Sequence, residues 1–258
     1  MENIFNPKEV MENIVEWIRE WINSNTPDHK IVIGLSGGKD STITAALCAR
    51  AIGPENVIGV AMPGTGQGIN DADKIAEHLG IAFMTCPVEA LEKVYKDLFA
   101  EMELTMTVQT EQNIPPRLRM TTLYAIAQSS KGVVVNTCNL SEDSIGYSTL
   151  FGDCAGSFAP LRLLTATEIV QIGDELGLPK EWVHKTPDDG LPGSSPDEQK
   201  FGFTYKTLDD FIRGIADPDE ETKAKILDRN RKNMFKMEIV QIPAYPHYGY
   251  INEALMGL

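Results

Sequence analysis

The chain has 258 residues, 42% of them hydrophobic and 23% charged, and a net charge of −14. That length fills one α/β domain with a proper core, whereas so acidic a balance, its densest basic stretch only Arg229-Asn230-Arg231-Lys232, excludes a nucleic-acid binder and leaves small anionic substrates. No apolar run nears the roughly 18 residues of a bilayer span and no signal-like segment opens the chain, so no membrane partner is expected; with Cys48, Cys86, Cys138 and Cys154 in no C-x-x-C pair, the expectation is a cytoplasmic protein with reduced thiols.

The first element is an amphipathic helix over 7–24, with Val10, Ile14, Trp17, Ile18 and Trp21 at three- and four-residue spacing. Short apolar strands follow at 31–35, 57–62, 81–86 and 132–137. Helical patterns separate them near 41–52, 70–79, 88–102 and 116–130. This alternation predicts βαβ units: an open, mostly parallel sheet with helices on both faces. Residues 138–165 and 185–202 are long polar, Gly- or Pro-bearing stretches, which in a compact domain are functional or mobile. Helices resume at 166–177, 205–215 and 219–234. The expected organisation is a single domain over 1–258. It comprises the N-terminal helix 7–24, an α/β core over 30–177, and a loop and short helical C-terminal region over 178–258.

Within that order one segment carries chemistry. Strand 31–35 runs into Ser36-Gly37-Gly38-Lys39-Asp40-Ser41 and then into an apolar helix. A strand that breaks into a glycine turn and opens a helix gathers backbone N–H groups and a positive dipole end at one point, which is a phosphate site. The Ser36 and Ser41 hydroxyls add donors. Asp40 would repel a phosphate unless a metal lay between them, so it points to Mg²⁺. The alternative is an ordinary βα turn, which has no need of two serines and an acid.

The loop is neither a Walker A motif nor a dinucleotide fingerprint. It resembles the pyrophosphate loop of the ATP pyrophosphatase superfamily, which cleaves ATP between its α- and β-phosphates and adenylates an oxygen of the substrate. Three further segments narrow the resemblance: Asn113 through Arg117 and Arg119 to Ala127; Asn136 through Thr137, Asn139, Glu142 and Tyr147 to Asp153; and Lys185 through Pro187, Asp189, Asp197 and Glu198 to Tyr205. Over about residues 8 to 245 the chain is similar to the bacterial ammonia-dependent NAD synthetases. The resemblance implies an adenine nucleotide α-hydrolase-like fold and a ligase that amidates deamido-NAD with ammonia. ATP is the co-substrate, yielding AMP and pyrophosphate, and Mg²⁺ the metal.

The same resemblance assigns roles. Gly34, Leu35, Ser36, Gly37, Gly38, Lys39, Asp40 and Ser41 would bind the ATP phosphates, with Thr137 and Lys185 also on ATP and Met62 on the adenine. Asp40 and Glu142 would hold the metal, Arg117 and Lys236 the deamido-NAD, and Asp153 would take a proton from ammonium. Gly64-Thr65-Gly66-Gln67-Gly68 reads as a lid beside the adenine. The lesser alternatives are Arg117 and Arg119 as solvated charges at a helix start, Glu142 as a helix N-terminal dipole partner and Asp153 as a turn residue, while Lys185 is nearly as readily an exposed loop lysine. Leu150, Ser157, Ala166, Asp188 and Phe235 depart from the family pattern, mostly on the deamido-NAD side. Other readings are therefore a related synthetase for another carboxylate or a silent nucleotide-binding homologue. The family forms homodimers through the helix expected to start at Arg117, whose Met120, Leu123, Tyr124 and Ala127 form one apolar stripe. Burial of that stripe inside the monomer is the alternative.

Overall fold

Four strands form one parallel sheet in the order β3-β2-β1-β4. They span Lys30–Gly34 (β1), Val57–Ala61 (β2), Ala82–Thr85 (β3) and Gly132–Val134 (β4) in the computed structural model, which describes residues 5–185 and 197–237. Register follows the apolar runs: Val32 pairs with Ile58 on one side and Val134 on the other, and Val60 with Met84. β1 is thus central, and the strand order reverses beside it. Its carboxyl end opens into the crevice where open α/β sheets bind ligands.

Helices cover both faces. On one, α1 (Pro7–Asn25), α2 (Lys39–Ile52), α3 (Ala72–Leu79) and, later in the chain, α7 (Ala166–Glu175) enclose the main core around Ile31, Ile33, Ile43 and Ile169. Asn6 caps α1, with Pro7 at its first position, where a missing N–H costs nothing. Its buried stripe is Met11, Val15, Ile18 and Ile22, so the face is rotated from the expected one. Trp17 stays 42% exposed. Trp21 stacks on Phe158, ring centroids 4.6 Å apart. The large indoles sit at the margin of the core and the slimmer aliphatics in its centre, a size effect that spacing alone does not reveal.

The opposite face carries α4 (Glu89–Glu101) and α5 (Val108–Ser129). α5 begins at Val108, capped by the Thr107 side chain, eight residues before the expected start at 116. Pro115 and Pro116 lie inside it rather than ahead of it. The Pro-Pro pair reads as a boundary in sequence because neither ring has an N–H to donate. Ala127 is buried, and the half-buried Leu123 and Tyr124 pack with Val32, Ile58 and Met62 against the sheet, so most of the expected dimer stripe leans on the chain's own core. The exposed apolar stripe lies on α4 instead, at Leu91, Val94, Tyr95 and Leu98.

The stretch 138–165 is not all loop: Leu140–Ile145 forms α6, closed by a capping box from Asn139. Beyond α7 come α8 (Lys180–Val183), α9 (Asp197–Phe201), α10 (Tyr205–Ile212) and α11 (Glu220–Asn233). Phe201, Phe203, Tyr205, Leu208 and Ile226 make a satellite core with Ile145, which braces α6 from behind. Ser141 Oγ donates to Asp209 Oδ1 at 2.5 Å and accepts from the Ala166 N–H at 2.9 Å, fastening α6, α7 and α10 at one buried joint. Asp188 and the rest of 186–196 lie outside the described residues, as does everything past Met237.

Candidate active site

The site is built where β1 meets α2. Gly37 turns the chain at φ +76°, and a Cβ there would lie 2.8 Å from Asn70 Cβ, so both conformation and space demand glycine. Ser36 Oγ accepts the Gly38 N–H at 3.2 Å and meets Ser41 Oγ at 3.1 Å. Ser41 Oγ reaches back to the Gly38 carbonyl at 3.1 Å, so the two serines tie the loop closed. Gly38 is the N-cap of α2 and offers no side chain to the first turn. The opening N–H groups of a 14-residue helix therefore lack a side-chain cap, the arrangement that receives a phosphate. Asn70 Nδ2 holds the Ser36 carbonyl at 3.0 Å, and Lys185 Nζ donates to the Gly37 carbonyl at 2.9 Å, so Lys185 does stand beside the phosphate loop.

Asp40 and Glu142, 102 positions apart in sequence, are joined by Asn139. Asn139 is fully buried. Its Oδ1 accepts the Glu142 N–H at 3.0 Å and its Nδ2 donates to Asp40 Oδ1 at 3.4 Å. Glu142 Oε2 in turn accepts the Asn139 N–H at 3.3 Å. The helix-cap reading of Glu142 is thus realised, yet the same carboxyl also faces Asp40. Burial, then the charge of Asp40, push the Glu142 pKa well above the usual carboxylate range. Two carboxylates that resist sharing a site suit a cation between them. Mg²⁺ is held by one or two carboxylates together with substrate phosphates and water, so this pair beside a phosphate loop fits it. Among the described residues no cluster of three or more acidic, His or Cys groups is preassembled for a metal.

Lys39 adds what the motif does not reveal. Its side chain is 7% exposed and its Nζ donates to Asp40 Oδ2 at 2.7 Å. The charges of Asp40, Glu142 and Asp209 keep its pKa above the ordinary value despite burial.

The side expected to meet the adenine is organised by Arg119, a residue of the 113–127 segment with no site role expected from the sequence. Its Nε donates to the Met62 carbonyl at 2.9 Å and its Nη2 to Gln67 Oε1 at 2.5 Å. Glu92, 6% exposed, accepts from both the N–H and the hydroxyl of Thr65 through Oε2. Arg119 and Glu92 therefore clamp the loop after β2, and a side chain on Gly64 would collide with Glu92 Oε1.

The three residues expected on the second substrate converge on one segment, Gly146 to Ala155. Arg117 is exposed and mid-helix, and its Nε meets the Leu150 carbonyl at 3.3 Å. Lys236 Nζ donates to the carbonyls of Gly146 and Ser148 at 2.9 and 3.1 Å. Asp153 Oδ1 accepts the Thr149 N–H at 2.8 Å. Asp153 keeps an exposed face, yet the loop around it desolvates its carboxyl and raises its pKa against the Thr149 bond and the charge of Lys236. Buried Asn136, unassigned from sequence, pins the segment by donating to the Asp153 and Ala155 carbonyls at 3.0 and 3.2 Å. Thr137 follows β4 and is half-buried. Of the departures, Ala166 is buried at the start of α7, while Ser157 and Phe235 are exposed.

A phosphate cradle at the switch point of a parallel sheet, with paired carboxylates alongside, is the architecture of a nucleotide-using α/β enzyme. The comparisons narrow this. The model of the NAD synthase family matches residues 10–242. The NH(3)-dependent NAD(+) synthetase of Archaeoglobus fulgidus is 33% identical over 241 residues, covering 91% of this chain and 96% of that one. Among solved structures, the NMN synthetase of Francisella tularensis superposes with a TM-score of 0.85 at 30% identity, covering 93% of this chain and 100% of that one. The NH3-dependent NAD synthetase of Campylobacter jejuni gives 0.73 at 27%, with the same coverages. The chain belongs to the NAD synthase family. It is a carbon–nitrogen ligase of the ammonia-dependent kind.

Proposed function

We propose that this chain converts deamido-NAD to NAD with ammonia and ATP, through an adenylated carboxylate. The observation that carries this is the uncapped α2 N-terminus closed by Ser36 and Ser41, with Asp40 and Glu142 beside it. A carboxylate is a poor acyl donor. One of its oxygens attacks the α-phosphorus of ATP, the bond to the bridging oxygen breaks, and pyrophosphate leaves toward the loop and the opening N–H groups of α2. Those donors are fixed before reaction and aimed where charge develops. Bound Mg²⁺ would supply charge neutralisation on the phosphates, and Asp40 and Glu142 are the residues to hold it. Asp153 takes a proton from ammonium. The free amine then attacks the acyl carbon and expels AMP, which carries away one former carboxylate oxygen. Arg117 and Lys236 hold the acid's loop, and Met62, Thr137 and Lys185 the nucleotide.

A second reading concerns the acid's size. Where the family pattern has a lysine, Leu150 offers only its backbone carbonyl, to Arg117. One cation fewer suits a smaller anion, as does the likeness to an NMN synthetase. Steady-state turnover with deamido-NAD and with the corresponding nicotinate mononucleotide decides between the two. The first reading expects the higher kcat/KM for the dinucleotide, and a preference for the mononucleotide replaces it with the second.

The assembly follows from α4. Leu91, Val94, Tyr95 and Leu98 stand at i, i+3, i+4 and i+7, each at least 42% exposed, more apolar surface than a solvated helix needs. A two-fold contact between copies would cover it. A cytoplasmic location agrees with the chemistry. Among the described residues no helix is long and apolar enough to cross a membrane.

A further inference from the structure

Lys39 is misplaced for a phosphate ligand. It occupies the first position of α2, where its backbone serves the cradle, but its side chain turns away from solvent. The ammonium donates to Asp40 Oδ2 at 2.7 Å, leaving Asn139 on Oδ1, and stands 5.8 Å from the centroid of the Tyr205 ring. Glu142 and Asp209 add their negative charge at longer range. Burying an ammonium is costly unless anions and a π-face compensate. Here they all do, and the carboxylate chosen is the one assigned to the metal. We propose that Lys39 is a tethered counter-ion of the metal carboxylates. It holds Asp40 neutralised before nucleotide arrives, so that a divalent cation gains the site only together with the oxygen ligands of the ATP phosphates.

The electrostatics give the direction. A unit positive charge within hydrogen-bond reach of a half-buried carboxylate competes directly with a divalent ion for the same oxygen. Two carboxylates without that charge would attract free metal. With it, the pair carries one net negative charge and a free ion gains little. Phosphates change the balance, because they bring both further negative charge and further ligands. Lys39 is therefore a positioning residue that orders the arrival of metal and nucleotide. The inference rests on the assignment of Asp40 and Glu142 to the metal.

The test uses Mn²⁺ as the probe, with free ion followed by electron spin resonance and nucleotide affinity by calorimetry with α,β-methylene-ATP. Without nucleotide, the wild-type protein is expected to show no saturable Mn²⁺ site in the millimolar range. Lys39→Met should gain one saturable site, at least about tenfold below that millimolar limit, as expected when a competing charge is removed. Lys39→Arg should behave as wild type, and Asp40→Asn in the Lys39→Met background should abolish the new site. If wild type binds Mn²⁺ without nucleotide as tightly as Lys39→Met does, the counter-ion role is wrong. The wild-type titration alone decides this if Lys39→Met does not fold. The metal assignment is read separately. Mn²⁺ should tighten analogue binding to wild type but not to Asp40→Asn, and full tightening in Asp40→Asn would overturn that assignment and the inference with it.

Discussion

Replacing Asn139 by alanine should damage the fold and the chemistry together, because one amide serves both. Its Oδ1 caps α6 through the Glu142 N–H, and loss of an N-cap costs about 1 kcal/mol. Its Nδ2 also donates to Asp40, and a hydrogen bond to a charged group contributes ~1.5 kcal/mol or more, at the low end for a 3.4 Å contact. The sum is about 2.5 kcal/mol, which for a chain of this size lowers Tm by roughly 5–10 °C. Asn139→Asp separates the two roles. The carboxylate still accepts the Glu142 N–H, so α6 keeps its cap, but it now faces Asp40 as a like charge. Thermal denaturation followed by circular dichroism, with pyrophosphate release on the same samples, reads both. The expected result is a lowered Tm and lowered activity for Asn139→Ala, and for Asn139→Asp an activity loss larger than its Tm shift accounts for. An Asn139→Ala protein that melts and turns over as wild type would refute the bridging role.

Three further outcomes follow from the same geometry. Asp40→Asn and Glu142→Gln should lose on the order of 10³-fold in pyrophosphate release at saturating Mg²⁺, and Asp40→Asn should also melt lower because it strips the buried Lys39 ammonium of its carboxylate; wild-type turnover in either removes that residue from the metal site. Gly64→Ala should raise KM for ATP more than it lowers kcat, because a Cβ displaces Glu92 and loosens the Arg119 clamp; unchanged ATP kinetics would show that the loop after β2 does not meet the nucleotide. Light scattering at micromolar concentration should give twice 28.5 kDa, and Leu98→Glu on α4 should return it to the monomer mass; a wild-type monomer would leave the α4 stripe without a partner copy.

Much of this was legible in the chain. The strands announced themselves because a parallel sheet covered on both faces reads as short continuous apolar runs, and the phosphate loop because glycines and serines there answer one geometric need. What escaped was what depends on contacts across the fold. α5 hides its start behind Pro115 and Pro116, since an N–H lost inside a helix looks like a helix boundary. Leu123 and Tyr124 form a stripe in either setting, and only the sheet beside them says that it packs inward. Asn139 was visible as part of a motif, and its Asn-x-x-Glu spacing is a capping-box signal, but its reach to Asp40 is tertiary. Arg119 and Lys39 stand within the motifs, but their roles carry no sequence signature, because a clamp and a counter-ion are defined by what they touch.

The central claim is that the acid is activated as an acyl adenylate before ammonia attacks. It is tested most directly by following the carboxylate oxygens. The acid is labelled with heavy oxygen at its nicotinate carboxylate and turned over with ATP, Mg²⁺ and ammonium, and the AMP is analysed by mass spectrometry. One labelled oxygen should appear in each AMP formed, in step with amide and pyrophosphate. Unlabelled AMP, or label in the pyrophosphate, would contradict the account.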